Sequence, residues 1–357
     1  MILKDNKNKY LKVKPKTAIT AAVVLVIVVL LAFGIFFYFS PLHSLTAQNS
    51  LMGKMAKKNP LPAAIIGKDS VSISKLIVQL ESVRKFYESQ DFSQLGLRVD
   101  FSTADGQKRL SIKEKDVLNK LIYDTIIKKE AQKRNIVVTK AVVDQQVDRK
   151  MKEYGTGDTL KKNLEKLYGW SLEDFKENIV EPDLYREELF SRVRKDSQEI
   201  VAAQKKIQEA KAVLSDGEDF IQAAKKYSEG ETAQSGGELG WFQSEQMLPE
   251  VFLGIFGLEK GETSEIIESS IGYHIVRLED KKVENDENLF KISQIFVRTQ
   301  TFSEWLYETA QNYRIFVPLH ELKWNAKEGS LEFRDESMND YDREMENGNI
   351  DDPSMLF

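Results

Sequence analysis

Between Lys16 and Lys54 there is no Lys, Arg, Asp or Glu. Within that interval residues 17–40 (TAITAAVVLVIVVLLAFGIFFYFS) form a run of 24 uncharged, mostly apolar residues. As a helix the run spans about 36 Å at ~1.5 Å per residue, enough for the ~30 Å hydrocarbon layer of a bilayer. A cleaved signal peptide has an apolar region of roughly 7–15 residues and a small-residue cleavage site. This run is longer, ends in Phe36, Phe37, Tyr38 and Phe39, and offers only a poor cleavage candidate near Ala47. Residues 1–16 carry six Lys and one Asp, and basic flanks of a span stay cytoplasmic. The expectation is a signal anchor: a basic cytoplasmic segment (1–16), one transmembrane helix (17–40), a stalk (41–59), and the bulk of a single-pass cell-membrane protein outside the cytoplasm.

The whole chain has 357 residues, enough for about two domains plus tails. Lys+Arg 51 against Asp+Glu 56 leaves a net charge of -5, which argues against nucleic acid as a partner. The absence of Cys removes disulfides, thiolate nucleophiles, Cys zinc sites and iron–sulfur clusters. With only His43, His274 and His320 available, a His-based metal centre has no ligand set, while an all-oxygen site stays open. No metal and no cofactor are expected. P-loop, HExxH and G-x-S-x-G patterns are missing, so hydrolase readings have no starting point.

Beyond the stalk, Ala63 to Gly67 and Val71 to Ile73 read as strand–turn–strand leading into a helix from about Ser74. Residues 91–110 read as an irregular loop. A helix is predicted from Ser111, with Ser111 and Glu114 as a capping box and Leu118, Leu121, Ile122 and Ile126 on one face. Further helices are expected from Thr139 (Val143, Val147, Met151, Tyr154), over about 159–168, over 172–181 behind a Ser171–Asp174 cap, and from Pro182. After a helix over 197–215 the texture changes. Short β-like runs at 239–242, 265–268 and 273–278 alternate with Gly-rich turns and a short helix near 249–256. Residues 283–288 (VENDEN) read as a turn into a strand over 290–298, followed by a helix over 302–313 and a short strand at 315–317. The tail from 326, rich in acids and poor in apolar residues, reads as disordered.

Five pieces between 217 and 278 carry a resemblance. They are Gly217-Glu218-Asp219-Phe220, then Gly236-Gly237-Glu238-Leu239-Gly240-Trp241-Phe242, then Gln246-Met247-Leu248-Pro249-Glu250. Phe256-Gly257-Leu258-Glu259-Lys260-Gly261-Glu262-Thr263-Ser264 and Gly272-Tyr273-His274-Ile275 complete the set. In this order the stretch resembles the parvulin family of peptidyl-prolyl isomerases, and with its flanking helix covers roughly 85 residues. With its A-x-I-x-G opening at 63–67, the K-R-N-I-V-V-T link at 133–139 and G-W-S-x-E-x-F at 169–175, the helical block 60–192 resembles the chaperone arm of the SurA/PrsA group of foldases. The resemblance implies an α+β chain with a mainly helical SurA-N-like domain over 60–192, joined by 302–317, and an FKBP-like α/β parvulin domain over 193–300. It implies no cofactor, and unfolded or newly exported polypeptides with X-Pro bonds as partners.

The resemblance also places residues. Leu239, Met247 and Val251 fall on the proline pocket with Phe256 beneath, and Val251 stands where the family often has Phe. All four equally suit ordinary core packing. His274 matches the family's His on the last strand. The family's first strand, with a second His, would precede Gly217, yet 186–200 (REELFSRVRKDSQEI) is helical in pattern and has no His. Residues 290–298 (FKISQIFVR) look like that strand, with Gln294 in the His position. Delivered by a hairpin from the His274 strand, they could fill the vacant slot from the C-terminal side; an unrelated edge strand is the other reading. A third polar position, Cys or Asp in the family, falls on Gly230, with Glu229 and Glu231 as neighbouring carboxylates.

Amide rotation must climb about 18–20 kcal/mol because resonance is lost in the twisted state. Its catalysis needs an apolar pocket and polar groups favouring that state, not a nucleophile or metal. Two functions therefore remain open: an isomerase using His274 and Gln294, or a peptide-binding chaperone with little or no activity. A structural tether using the acidic tail has no motif behind it.

Overall fold

The computed structural model describes residues 28–29, 61–89, 100–154, 157–284 and 287–348. The predicted span 17–40 lies outside them except for Val28 and Val29, which are helical; the 1–16 segment and the 41–59 stalk lie wholly outside. Among the described residues no helix is long and apolar enough to cross a membrane.

Two compact units divide the chain. The first takes 1–126, 139–181 and 313–357; the second takes 127–138 and 182–312. In the first unit β1 (Pro62–Ile66) turns through Gly67 into β2 (Asp69–Ser72), and α1 (Ile73–Ser89) follows at once. Alternation buries Ala64, Ile66 and Val71, and Leu76, Ile77 and Leu80 continue the same core from the helix.

The next helix, α2 (Ala104–Lys133), begins about two turns before its expected start at Ser111. Its cap is Thr103, whose hydroxyl accepts from the Gly106 amide at 3.0 Å. A Cβ on Gly106 would lie 1.9 Å from the Asp100 carbonyl oxygen, so this entry requires glycine. The Ser111–Glu114 pair is thus mid-helix, and Glu114 is buried at 2% exposure instead of capping.

Helices α3 (Lys140–Tyr154), α4 (Gly157–Asn163) and α5 (Leu172–Phe175) follow, α5 with the predicted Ser171–Asp174 capping box. A wide π turn over Lys176–Val180 joins α5 to α6 (Glu181–Asp196). Pro182 has no N–H to close a regular bond there, and the wider turn absorbs the gap.

In the second unit α7 (Gln198–Ser215) and α8 (Phe220–Tyr227), capped by Ser197 and Asp219, pack on one face of a four-stranded antiparallel sheet. Its strands are β3 (Glu238–Gln243), β4 (Ile267–Ser269), β5 (Gly272–Glu284) and β6 (Glu287–Arg298), in the order β3-β6-β5-β4. The short helix α9 (Pro249–Ile255) covers the opposite face. Residues 281–284 and 287–289, expected as turn or its flank, extend the hairpin to the Glu284–Glu287 pair. Backbone pairing carries that extension, with mostly exposed side chains and no apolar pattern to betray it.

Helix α10 (Phe302–Ala310), which the sequence joins to the helical lobe, falls in the second of the two units. Phe302 meets Phe190 edge-on at 5.4 Å and stacks on Trp305 at 5.6 Å, and Arg134 lies over the Trp305 ring. An amphipathic face announces that it needs a partner without saying which one.

The chain then returns to the first unit, where β7 (Ile315–Phe316) pairs with β1. The tail expected to be disordered from 326 is folded through 348. A hairpin of β8 (Leu322–Asn325) and β9 (Ser330–Phe333) leads to α11 (Glu336–Gly348). Leu322, Leu331 and Phe333 are buried, and the Lys115 ammonium pairs with Asp342 while lying over the Phe333 ring. A few well-placed apolar side chains and one buried ion pair outweigh an unfavourable composition.

Candidate functional site

The β5–β6 pairing decides the site. His274 lies opposite Phe296 and Val276 opposite Gln294, so His274 and Gln294 are diagonal neighbours on one face. β6 is held on its other side by β3, where the Gln294 amide donates to the Gly237 carbonyl at 2.8 Å. A Cβ on Gly237, whose φ is +80°, would sit 2.2 Å from the Gln294 carbonyl oxygen, so only glycine permits this approach. β6 thereby holds the interior position between β3 and β5, next to the His274 strand.

His274 is 2% exposed and makes two polar contacts. Its Nδ1 lies 3.2 Å from Gln294 Oε1, and its Nε2 lies 2.8 Å from the Ser269 hydroxyl. Phe296 stacks on the ring at 4.8 Å between centroids. Burial pushes the imidazole pKa below its usual value, while the Gln294 bond and the charge of Glu250 oppose the shift. Burial thus favours the neutral imidazole, and both ring nitrogens have a hydrogen-bond partner. Ser269 was absent from the sequence-based site because its strand was expected to end at Glu268; a Ser five residues before the His was the available signal.

The same face carries an apolar cluster in which Val251 is 5% exposed and Leu239 and Met247 are half-buried at the edge. Phe256 departs from expectation. It is 69% exposed and touches only the edge of this group, through Phe252 at 5.5 Å. Phe252 itself packs edge-on against Phe290 at 5.8 Å, and is the aromatic that the motif reading missed. Residues 252 and 256 share a face of α9, but Phe256 is the C-cap, one turn further along the axis, and its ring is left in solvent.

Nor does the third polar position supply a carboxylate. The Glu229 side chain accepts from the Arg298 amide at 2.9 Å and from Lys206 at 2.7 Å, while its own amide donates to the Phe296 carbonyl. That residue clamps the end of β6, and its carboxylate is taken up by Lys206 and the Arg298 amide. Glu231 is exposed. No nucleophile is presented: Ser269 is buried and bonded to the ring. What the arrangement provides is an apolar surface backed by a buried, hydrogen-bonded His–Gln pair.

A family model described as "Rotamase: PPIC-type PPIASE domain" matches residues 189–280. This chain carries a PPIC-type parvulin domain. The match stops before β6, so the strand bearing Gln294 lies outside the matched part of the parvulin domain. A "SurA-like N-terminal domain" model matches residues 10–186. "Foldase protein PrsA" of Bacillus subtilis (strain 168) is 32% identical over 189 residues, covering 48% of this chain and 61% of that protein. The PrsA foldase of Geobacillus kaustophilus is 30% identical over 191 residues, covering 50% and 66%. The matches thus span less than two thirds of these relatives. A crystal structure of peptidylprolyl isomerase (PrsA) from Bacillus cereus, 23% identical, covers 64% of this chain and 79% of its own, with a TM-score of 0.22.

Proposed function

We propose that this chain is a membrane-anchored extracytoplasmic foldase: residues 17–40 hold it in the bilayer, the SurA-like domain holds unfolded polypeptides, and the parvulin domain accelerates rotation about their X-Pro bonds. The supporting observation is the position of β6. It stands where the resemblance calls for the family's first strand, delivered from the C-terminal side, and it sets Gln294 against His274 beneath the apolar face of Leu239, Met247, Val251 and Phe252. Both polar groups act by positioning. The buried ring and its amide partner fix the floor against which a proline ring rests, and the apolar wall strips water from an amide whose twisted form is less polar.

A second reading, a peptide-binding chaperone without useful turnover, is favoured by the vacant carboxylate position at Gly230 and the near-complete burial of His274. The two readings separate in one measurement. Cis–trans exchange of a proline tetrapeptide is followed by NMR with the full chain in detergent or nanodiscs, alongside suppression of aggregation of an unfolded client. The isomerase reading expects faster exchange, lowered by His274→Ala and less strongly by Gln294→Ala, with client holding retained in both. No acceleration with intact holding leaves the chaperone reading. For topology, protease added outside spheroplasts is expected to reach residues 60–357; protection of that region would reject the anchor.

A further inference from the structure

The segment that supplies most of the apolar face carries a single sign of charge. Between Lys226 and Lys260 the chain has six Glu and no Lys or Arg. That stretch supplies β3, the following turn and α9, the elements that hold Leu239, Met247 and Val251. Two of these acids are answered elsewhere, Glu229 by Lys206 and Glu238 by Lys291. Glu250 is different. It is exposed in the first turn of α9 beside Val251 and has no ion pair among the described residues. Its charge acts on the His274 ring in favour of the charged imidazole. Glu245, on the turn next to Met247, is exposed and bonded to the Ser244 hydroxyl. The basic residues bordering the same face are committed: Arg298 pairs with Glu304, and the Lys281 ammonium donates to the Leu258 carbonyl.

We propose that Glu250, assisted by Glu245, makes this site selective for prolines flanked by Lys or Arg, and that it rejects prolines flanked by Asp or Glu. The inference rests on the apolar face being the proline site. A peptide laid over Leu239, Met247 and Val251 runs its neighbouring side chain past the rim of α9, where an unpaired carboxylate attracts a cation and repels an anion. One exposed carboxylate near a bound charge is worth about three- to tenfold in selectivity at low salt, and added salt screens most of it.

The test uses the full chain and four-residue peptides Ala-X-Pro-Phe with X as Lys, Leu or Glu, in 20 mM and 500 mM salt. Exchange rates and peptide binding are both read by NMR. At low salt kcat/KM and affinity are expected in the order Lys, Leu, Glu, with a Lys-to-Glu ratio of about tenfold that shrinks at high salt. Glu250→Gln is expected to lower that ratio about threefold, and Glu250→Lys to invert it. A wild-type ratio at or below one, or a ratio unmoved by both variants, overturns the proposal. Tighter binding of the Lys peptide without accelerated exchange supports the selectivity while rejecting catalysis. Neither binding nor exchange for any peptide overturns both.

Discussion

Glu114 offers the sharpest test of how the first unit is held together. Its carboxyl sits inside the unit on α2 at 2% exposure, and Oε1 has no hydrogen-bond partner. Burial, with Glu321 as a nearby like charge, raises its pKa well above the usual carboxylate range. The folded chain therefore keeps this proton at pH values where the unfolded chain, titrating near about 4.3, has released it. Stability falls as pH rises from that value until the raised folded pKa is passed. Replacement by Gln keeps an oxygen acceptor, removes the titration and abolishes the repulsion from Glu321. Each pKa unit by which the folded chain lies above the unfolded one costs about 1.4 kcal/mol at pH values above both. At pH 8 the variant should gain about that much, which for a unit of this size is roughly 2–10 °C in Tm. Thermal unfolding of wild type and Glu114→Gln at pH 4 and pH 8, followed by circular dichroism, measures it. The gain should be present at pH 8 and largely absent at pH 4. An equal gain at both values, or a loss at pH 8, would refute the reasoning, because only the buried charge makes the effect depend on pH.

Asp342→Ala, which leaves the buried Lys115 ammonium alone, should destabilise the first unit by about 3 kcal/mol and expose α11 to limited proteolysis, whereas a surface pair such as Lys205–Glu209 should tolerate the same truncation. Burial favours the neutral His274 imidazole in the folded chain, while the unfolded ring protonates near about pH 6.5; the second unit should therefore weaken as pH falls below that value, and His274→Gln should flatten the trend in hydrogen exchange of the β5 and β6 amides. Gly237→Ala, forced against the Gln294 carbonyl at a positive φ, should break the β3–β6 register and lose the Gln294 amide from the protected set.

Local signals in the chain were legible where neighbours in sequence satisfy one another. The Ser171–Asp174 box and the Ser197 helix start occur as the spacing implies, because a cap needs only residues within one turn. The same rule misled at Ser111. An equally good pattern lay inside a helix that Thr103 had already begun, and only the burial of Leu110 and Ile112 on α2 distinguishes the two. The acidic tail misled for the opposite reason. Its charges suggested solvent throughout, but Asp342 meets Lys115 across 227 residues.

His274 and Gln294 were named from sequence because alternation puts every second residue of a strand on one face, and five ordered motifs marked the first of them. What no local pattern contains is register. A one-residue slip of β6 would turn Gln294 to the face covered by α7 and α8 and leave His274 without its amide partner. Register is set by Gly237 closing on the Gln294 backbone and by Glu229 clamping the Arg298 amide, contacts between segments 57 and 69 residues apart. The same holds for Phe252 against Phe256, for Ser269 beside the imidazole and for the partner of α10. Sequence alone determined which side chains were available, and in what alternation. Tertiary packing decided which of them meet, because buried hydrogen bonds and ring contacts depend on distances that only the assembled sheet supplies.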